Sequence, residues 1–314
     1  MDILVVGAGA MGSLYGGRLR ESGYNVVLVD IWSQHIEAIN ANGLKIEGET
    51  GVQVISIPAR FAHEVQEKAD LLIVFTKTFH TEKALESVLH VLHDNTVTMT
   101  LQNGLGNIEL LEKYFPRERI IVGTTNFPSD LVGPGYVRSL GAGETVIMQL
   151  DNCGINRVEA VNKILNDAGF NCKVTDNIYP FIWEKVAFNA AMNSLTAVTG
   201  LTVGQLGLSA DGRNLAFQVA DEVLNVAKSK GIVVNKEKVK EMMDEAFIKH
   251  FDHQPSMLQD LKAGKMTEIE SINGAVVREA KKIGCAVPAT EVLYKLVRVL
   301  EQSRENHTTR YISG

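Results

Sequence analysis

Gly7-Ala8-Gly9-Ala10-Met11-Gly12 sits between an apolar run and a helical stretch, the context in which G-x-G-x-x-G carries chemistry. Gly7 permits a tight turn, Gly9 lets a pyrophosphate approach the backbone, and Gly12 lets helix and strand pack closely. The free N–H groups of the helix then face phosphate oxygens. A turn of this kind also serves close packing alone, so its position after the first strand is what points to a dinucleotide. Asp30 ends the second apolar run, where a carboxylate accepts hydrogen bonds from adenosine ribose hydroxyls. It would repel a 2′-phosphate, and Ile31 and Trp32 offer no compensating cation, so NADH is expected over NADPH.

A second constellation lies in Trp183-Glu184-Lys185-Val186-Ala187-Phe188-Asn189-Ala190-Ala191-Met192-Asn193. Lys185, Asn189 and Asn193 are four positions apart and share one stripe of a helix. A solvated face would carry more charge, whereas a core face would carry neither a lysine nor two amides. A bound polar ligand would partner such groups, and so would backbone at a seam between domains. Trp183 beside them reads as core. Lys77 directly follows an apolar run, and Gln102-Asn103-Gly104-Leu105-Gly106 follows the next; strand carboxyl ends are where this fold class binds ligands. Lys77 could reach ribose or phosphate, or be an ordinary solvated lysine. Asn103 offers an amide beside glycines that admit close backbone approach. Ser256 and Thr267 can each cap a helix, Thr267 with Glu270 at capping-box spacing. Spacing assigns no role to Glu268 or Asn273.

These groups must be positioned by two different kinds of architecture. Up to about residue 175, short runs rich in Val, Ile, Leu and Thr alternate with amphipathic stretches. The runs at 3–6, 26–29, 71–76, 96–101 and 120–124 are nearly wholly apolar, as strands buried on both faces of a parallel sheet are. Residues 44–47 and 52–57 suggest an added hairpin, and 136–140 with 145–150 a second around Gly141-Ala142-Gly143. Beyond residue 177 helical spacing dominates, over 178–198, 212–229, 237–251, 268–283 and 291–300. The expected fold is α/β: a Rossmann-type parallel-sheet domain over residues 1–176, followed by an all-helical domain over 177–314.

The 314 residues carry 31 Lys and Arg against 37 Asp and Glu, a net charge of −6 that disfavours a broad nucleic-acid or anionic-membrane surface. No apolar run approaches the ~20 residues of a membrane span. Met1 and Asp2 lead straight into a strand with no signal-peptide pattern. Cys153, Cys172 and Cys285 form no C-x-x-C pair and suit a reducing cytosol, so a cytoplasmic protein is expected. Glu86, His90 and His93 share a helical face but match no zinc signature, and His250 and His253 read as a helix end rather than ligands. No metal is expected.

The motifs GAGAMG, LLIVFTK ending at Lys77, QNGLG around Asn103, WEKVAFNAAMNSLTA and PSMLQDLKAGKMTEIESING together resemble the ketopantoate reductase (2-dehydropantoate 2-reductase) family over nearly the whole chain. The last two are far more specific than the glycine turn. The resemblance implies a cleft between the two domains, NAD(P)H as cofactor and a 2-oxo acid as substrate. It implies that Lys185 is the general acid, that Asn189, Asn193 and Ser256 orient the 2-oxo acid, and that Glu268 bonds substrate or cofactor hydroxyls. Asn103 would stand between nicotinamide ribose and substrate, Lys77 would contact the cofactor, and the product would be the (R) 2-hydroxy acid. A homodimer through the helical half follows by the same analogy.

The chain departs from the family pattern at two places. NADPH-preferring members have an arginine where this chain has Ile31, and an asparagine expected beyond the stripe is replaced within Leu201-Thr202-Val203-Gly204. Both departures lean toward relatives that reduce branched or aromatic 2-oxo acids with NADH, the D-mandelate-type dehydrogenases. A dinucleotide sensor without turnover is a third reading, against which the intact Lys185 stripe and Glu268 argue.

Overall fold

The computed structural model describes residues 1–151 and 155–312, the side chains of 155–156 and 304–312 excepted; Cys153 lies outside the described residues. The chain divides into two compact units, Met1–Gln102 with Asn107–Ile178, and Asn103–Gly106 with Tyr179–Gly314.

The first unit runs β1 (Asp2–Val6), α1 (Ala10–Glu21), β2 (Asn25–Val29), α2 (Ser33–Asn42), β3 (Leu44–Gly48), β4 (Gly51–Ile55), β5 (Ala59–Arg60), β6 (Leu71–Val74), α3 (Thr81–Val88), β7 (Val97–Thr100), α4 (Asn107–Leu111), β8 (Ile120–Thr125), β9 (Asp130–Gly133), β10 (Tyr136–Arg138), β11 (Thr145–Gln149), α5 (Ile155–Asp167) and β12 (Cys172–Val174). Its main sheet has the order β12-β11-β8-β7-β6-β1-β2-β5. The ladder is parallel throughout except where β11 runs against β8. Strands β6 and β7 are buried at every residue, β6 as the apolar run Leu71–Val74 and β7 with Thr98 and Thr100 among its buried side chains. Helix α1 closes on this sheet through small residues: a Cβ at Gly16 would come within 2.4 Å of the Leu28 side chain.

A second sheet, ordered β4-β3-β10-β9, is built on the expected β3–β4 hairpin. The hairpin expected between residues 136–140 and 145–150 does not form. β10 pairs in parallel with β3, and Glu47 of β3 accepts from the Tyr136 hydroxyl and, at 2.7 Å, from Arg138 Nε. β11 is buried along its whole length and therefore takes an interior place between β8 and β12. The glycine-rich segment marks a chain reversal but cannot choose partners for its flanks.

The second unit is helical: α6 (Tyr179–Thr199), α7 (Val203–Leu208), α8 (Ala210–Ser229), α9 (Lys236–Lys249), α10 (Ser256–Lys262), α11 (Asn273–Lys282) and α12 (Pro288–Ile312). Helix α6 is its axis, with Trp183, Val186, Ala187, Ala190, Ala191, Met192 and Leu195 all in the core. Two buried carboxylates tie other elements together. Glu184 accepts from Asn235 N at 2.9 Å and Lys238 Nζ at 2.8 Å; Glu222 accepts from Ala289 N, Thr290 N and the Thr290 hydroxyl at the start of α12. Each replaces lost hydration with several donors, which is what burial of a carboxylate requires.

The helix expected from residue 268 begins only at Asn273. Ser271 N and Ile272 N both close on the Glu268 carbonyl, making turns of residues 268–272. Thr267 Oγ1 accepts from Ile269 N at 3.1 Å, while the Glu270 carboxylate is taken by Tyr294 and Arg278, so the capping box expected between Thr267 and Glu270 is absent. Ser256 does not cap either; Pro255 holds the cap position and Ser256 is the first helical residue. Thr202 and Gln205 do form a reciprocal cap at the start of α7. No helix among the described residues is long and apolar enough to cross a membrane.

Candidate active site

In the first unit the turn between β1 and α1 has the geometry its glycines predict. Gly7 sits at φ +90°, its N–H donating to Val29 O at 2.9 Å, and a Cβ there would lie 2.5 Å from Thr76 N. A Cβ at Gly12 would lie 2.0 Å from Gly7 O, so the helix can start this close to the strand only without a side chain. An added Cβ at Gly9 meets nothing within 4 Å among the described residues. The turn is thus packed tight on the Gly7 and Gly12 sides and open at Gly9, the side from which a phosphate would reach the N–H groups of α1. This arrangement fits a dinucleotide.

Asp30 follows β2, and its Oδ1 accepts from Ile31 N at 2.8 Å and Trp32 N at 3.0 Å. Those two bonds fix the carboxylate in place, and Ile31 beside it is 84% exposed. Lys77 precedes the single turn Thr78–His80 that follows β6, and its carbonyl accepts from His80 N. Gln102 Nε2 donates to Thr76 O at 2.5 Å and Thr81 Oγ1 at 2.8 Å, tying the end of β7 to the segment that bears Lys77. Nothing in its spacing singles out Gln102 in the sequence.

The second unit gathers residues from three separate stretches. Lys185, Asn189 and Asn193 lie along one side of α6, the first two half-buried and Asn193 buried. Burial brings the Lys185 ammonium down to about 8, and the negative charge of Glu268 opposes that shift. The turn carrying Glu268 is held against α6 by Asn273, whose Nδ2 donates to Ala190 O at 3.1 Å and Ser194 Oγ at 3.3 Å. The loop of residues 103–106 is pinned to the same turn. Leu105 N donates to Ser271 O at 2.8 Å, and Gly104, at φ +84°, packs so closely that a Cβ would lie 2.4 Å from that oxygen. Asn103 Nδ2 thereby comes within 3.5 Å of Glu268 Oε2. Asn103 and Lys185 are thus both brought to Glu268, while Asn189 and Asn193 continue the Lys185 side of α6. Ser256, at the start of α10, is exposed.

Sequence reasoning left Asn273 without a role, although it joins two of these stretches. Its partners are main-chain and hydroxyl groups that no spacing rule reveals. Trp183 is a core residue, 3% exposed. Glu86, His90 and His93 go separate ways: Glu86 accepts from the Tyr114 hydroxyl, His90 Nε2 meets Val65 O, and His93 approaches Asp70 at 3.6 Å. No group of three metal-ligating side chains occurs among the described residues.

The family profile described as "Ketopantoate reductase PanE/ApbA" matches residues 3–152, and "Ketopantoate reductase PanE/ApbA C terminal" matches 177–301. The chain belongs to the ketopantoate reductase family. A 2-dehydropantoate 2-reductase of Streptococcus pyogenes serotype M3 is 32% identical over 302 residues, 96% of this chain and 98% of that one. Among solved structures, a ternary D-mandelate dehydrogenase with NADH and anilino(oxo)acetate superposes with a TM-score of 0.93 at 32% identity, covering 97% of this chain and 100% of the other. A 2-dehydropantoate 2-reductase from Geobacter metallireducens gives 0.89 at 31% identity, over 95% and 99%. The two profile matches lie on either side of residues 153–176, so each compact unit carries its own share of the likeness.

Proposed function

We propose that this chain is a 2-dehydropantoate 2-reductase, an NAD(P)-dependent oxidoreductase acting on a CH–OH group, which converts 2-dehydropantoate to (R)-pantoate in the biosynthesis of pantothenate and coenzyme A. The observation that carries the reading is the gathering of Lys185, Asn189, Asn193, Asn103 and Glu268 within one unit of a family member. Residues 1–176 serve as the dinucleotide domain and 177–314 as the substrate and dimerisation domain. Gly7, Ala8, Gly9, Ala10, Met11 and Gly12 cradle the pyrophosphate, Asp30 takes the adenosine ribose, and Lys77, Asn103 and Glu268 contact the cofactor nearer the nicotinamide. When bound, the reduced nicotinamide supplies the hydride that arrives at C2.

The chain's own residues handle the substrate and the proton. Negative charge grows on the C2 oxygen during reduction, and the Lys185 ammonium stabilises it and gives up a proton there. Half-burial makes that proton easier to release, while Glu268 keeps the amine charged until it is needed. Asn189, Asn193 and Ser256 orient the 2-oxo acid, and Asn103 bridges toward the ribose. NADH is favoured over NADPH, because a 2′-phosphate would meet the anchored Asp30 carboxylate with an exposed Ile31 in place of a cation.

A cytoplasmic homodimer is part of the proposal. Val292, Leu296 and Val299 stand exposed along one side of α12, an apolar stripe of the kind a second copy covers, and Cys172 and Cys285 are free thiols. Sedimentation at micromolar concentration tests the assembly, and a monomer would overturn it.

A D-mandelate-type dehydrogenase is the second reading, favoured by one observation: Asp30 and Ile31 suit NADH, the cofactor named for the solved D-mandelate dehydrogenase. Initial rates with 2-dehydropantoate, 2-oxoisovalerate, 2-oxoisocaproate and phenylglyoxylate, each with both cofactors, separate the two. The highest kcat/KM is expected on 2-dehydropantoate; a clear preference for phenylglyoxylate would transfer the chain to the second reading.

A further inference from the structure

Behind the glycine turn, three side-chain and backbone contacts form a buried chain that ends on its main chain. Gly135 N, in the turn between β9 and β10, donates to His35 Nδ1 at 2.9 Å. With Nδ1 accepting, the imidazole proton resides on Nε2, which faces Ser13 Oγ at 3.1 Å. Ser13 Oγ then donates to Ala8 O at 2.7 Å. Ser13, His35 and Ala8 are essentially inaccessible to water. Ser129, the residue before β9, touches the same segment again, its Oγ donating to Ala10 O at 2.9 Å.

The consequence lies in the Ala8–Gly9 peptide. A trans peptide directs its carbonyl and its N–H to opposite sides, so holding Ala8 O inward on Ser13 turns the Gly9 N–H outward. An added Cβ at Gly9 would meet nothing within 4 Å among the described residues, so the turn leaves room for a ligand at this residue. Oriented donors of this kind bind anions because no reorganisation is required when the charge arrives. A serine alone could rotate away; His35, clamped by Gly135 and stacked on Trp32 with ring centroids 5.3 Å apart, leaves the Ser13 hydroxyl one direction in which to donate.

We propose that Ser13 and His35 are positioning residues for the dinucleotide: a Gly135–His35–Ser13–Ala8 relay, anchored in the second sheet, sets the orientation of the Gly9 N–H toward the pyrophosphate. The proposal rests on the reading that the first unit binds NAD(P)H. Neither residue touches the ligand. Both act through the main chain, and the sheet of β4, β3, β10 and β9 becomes a functional brace rather than an ornament on the Rossmann-type core.

The test is equilibrium binding of NADH and NADPH to the full chain, followed by nucleotide fluorescence in the absence of substrate, with the melting temperature recorded for each variant. Ser13→Ala should weaken NADH about tenfold, the worth of one well-made hydrogen bond. His35→Phe should do the same, and the double variant should be no weaker than either single one, since the relay is lost once. His35→Gln retains a donor for Ser13 and should recover affinity; His35→Asn places its amide at the Nδ1 end and should not, even at an equal melting temperature. Because Ser13→Ala removes one oxygen, it keeps the test open if the His35 variants fold poorly. Wild-type affinity in Ser13→Ala, or equal affinity in the Gln and Asn variants, would overturn the relay alone. A wild-type chain that binds neither nucleotide would overturn the dinucleotide reading and the relay with it.

Discussion

Asn103 Nδ2 lies 3.5 Å from Glu268 Oε2, although 165 positions separate the two residues in the chain. The contact exists because Gly104 and Leu105 press the loop onto Ser271, and Ser271 closes the turn that begins at Glu268. The loop that reaches this carboxylate, which also biases the charge of Lys185, is flanked in sequence on both sides by residues of the first unit.

Lys185→Ala should lower kcat by about two to four orders of magnitude, the usual worth of a positioned general acid. NADH affinity should change little, because the glycine turn and Asp30 are untouched. Steady-state rates with nucleotide binding measured separately decide the matter, and retained turnover would remove Lys185 from the chemistry.

The pH dependence follows from the depressed Lys185 ammonium. Reduction requires the charged form, so its rate should be level below about 8 and decline above it, by about tenfold per pH unit. Oxidation of the hydroxy acid requires the neutral amine and should rise through the same value. An inflection at the ordinary lysine value of 10.5 would contradict the burial argument.

Asp30→Ala should narrow the gap between NADH and NADPH, chiefly by improving NADPH. The Asp30 carboxylate is held by Ile31 N and Trp32 N, so it cannot swing away from a 2′-phosphate without breaking those bonds. Comparison of kcat/KM with the two nucleotides at equal concentration checks this. A wild-type enzyme that already prefers NADPH would defeat the charge argument outright.

Gly104→Ala should be costly out of proportion to its size. A methyl group there demands both φ +84° and a 2.4 Å approach to Ser271 O, and the loop must lift to relieve them. Lifting withdraws Asn103 from Glu268, so kcat/KM should fall at least tenfold, the scale of one lost hydrogen bond to a charged group. Gly106→Ala is the control for strain without collision: φ is +96° there, but nothing lies within 4 Å among the described residues. Equal loss in both variants would show that Asn103 placement is not what matters.

The parallel strands could be read directly because burial on both faces leaves a nearly unbroken apolar run, as in residues 3–6 of β1 and in β6. The Lys185, Asn189 and Asn193 stripe was equally visible, since a spacing of four is a property of one helix. Partner choice was not visible. Nothing local in β10 says that Glu47 of β3 will attract Tyr136 and Arg138, and nothing in Gly141-Ala142-Gly143 says that β11 will enter the main sheet. The late start of α11 has a similar origin: residues 268–272 keep helical spacing, but tertiary bonds from Leu105 and Tyr294 settle their backbone and side chains otherwise. Glu268 could be assigned only through family resemblance, because its significance arises from contacts distant in sequence.

The loop Asn103–Gly106 has one more consequence, for how the molecule could be divided or recombined. No single cut separates the two compact units. A fragment starting at Tyr179 would lack the carboxamide that reaches Glu268, and one ending at Ile178 would carry that carboxamide with no acid to receive it. Chimeras that exchange the helical half between relatives should therefore take this short insert along, or pair an Asn103 and a Glu268 from mismatched parents.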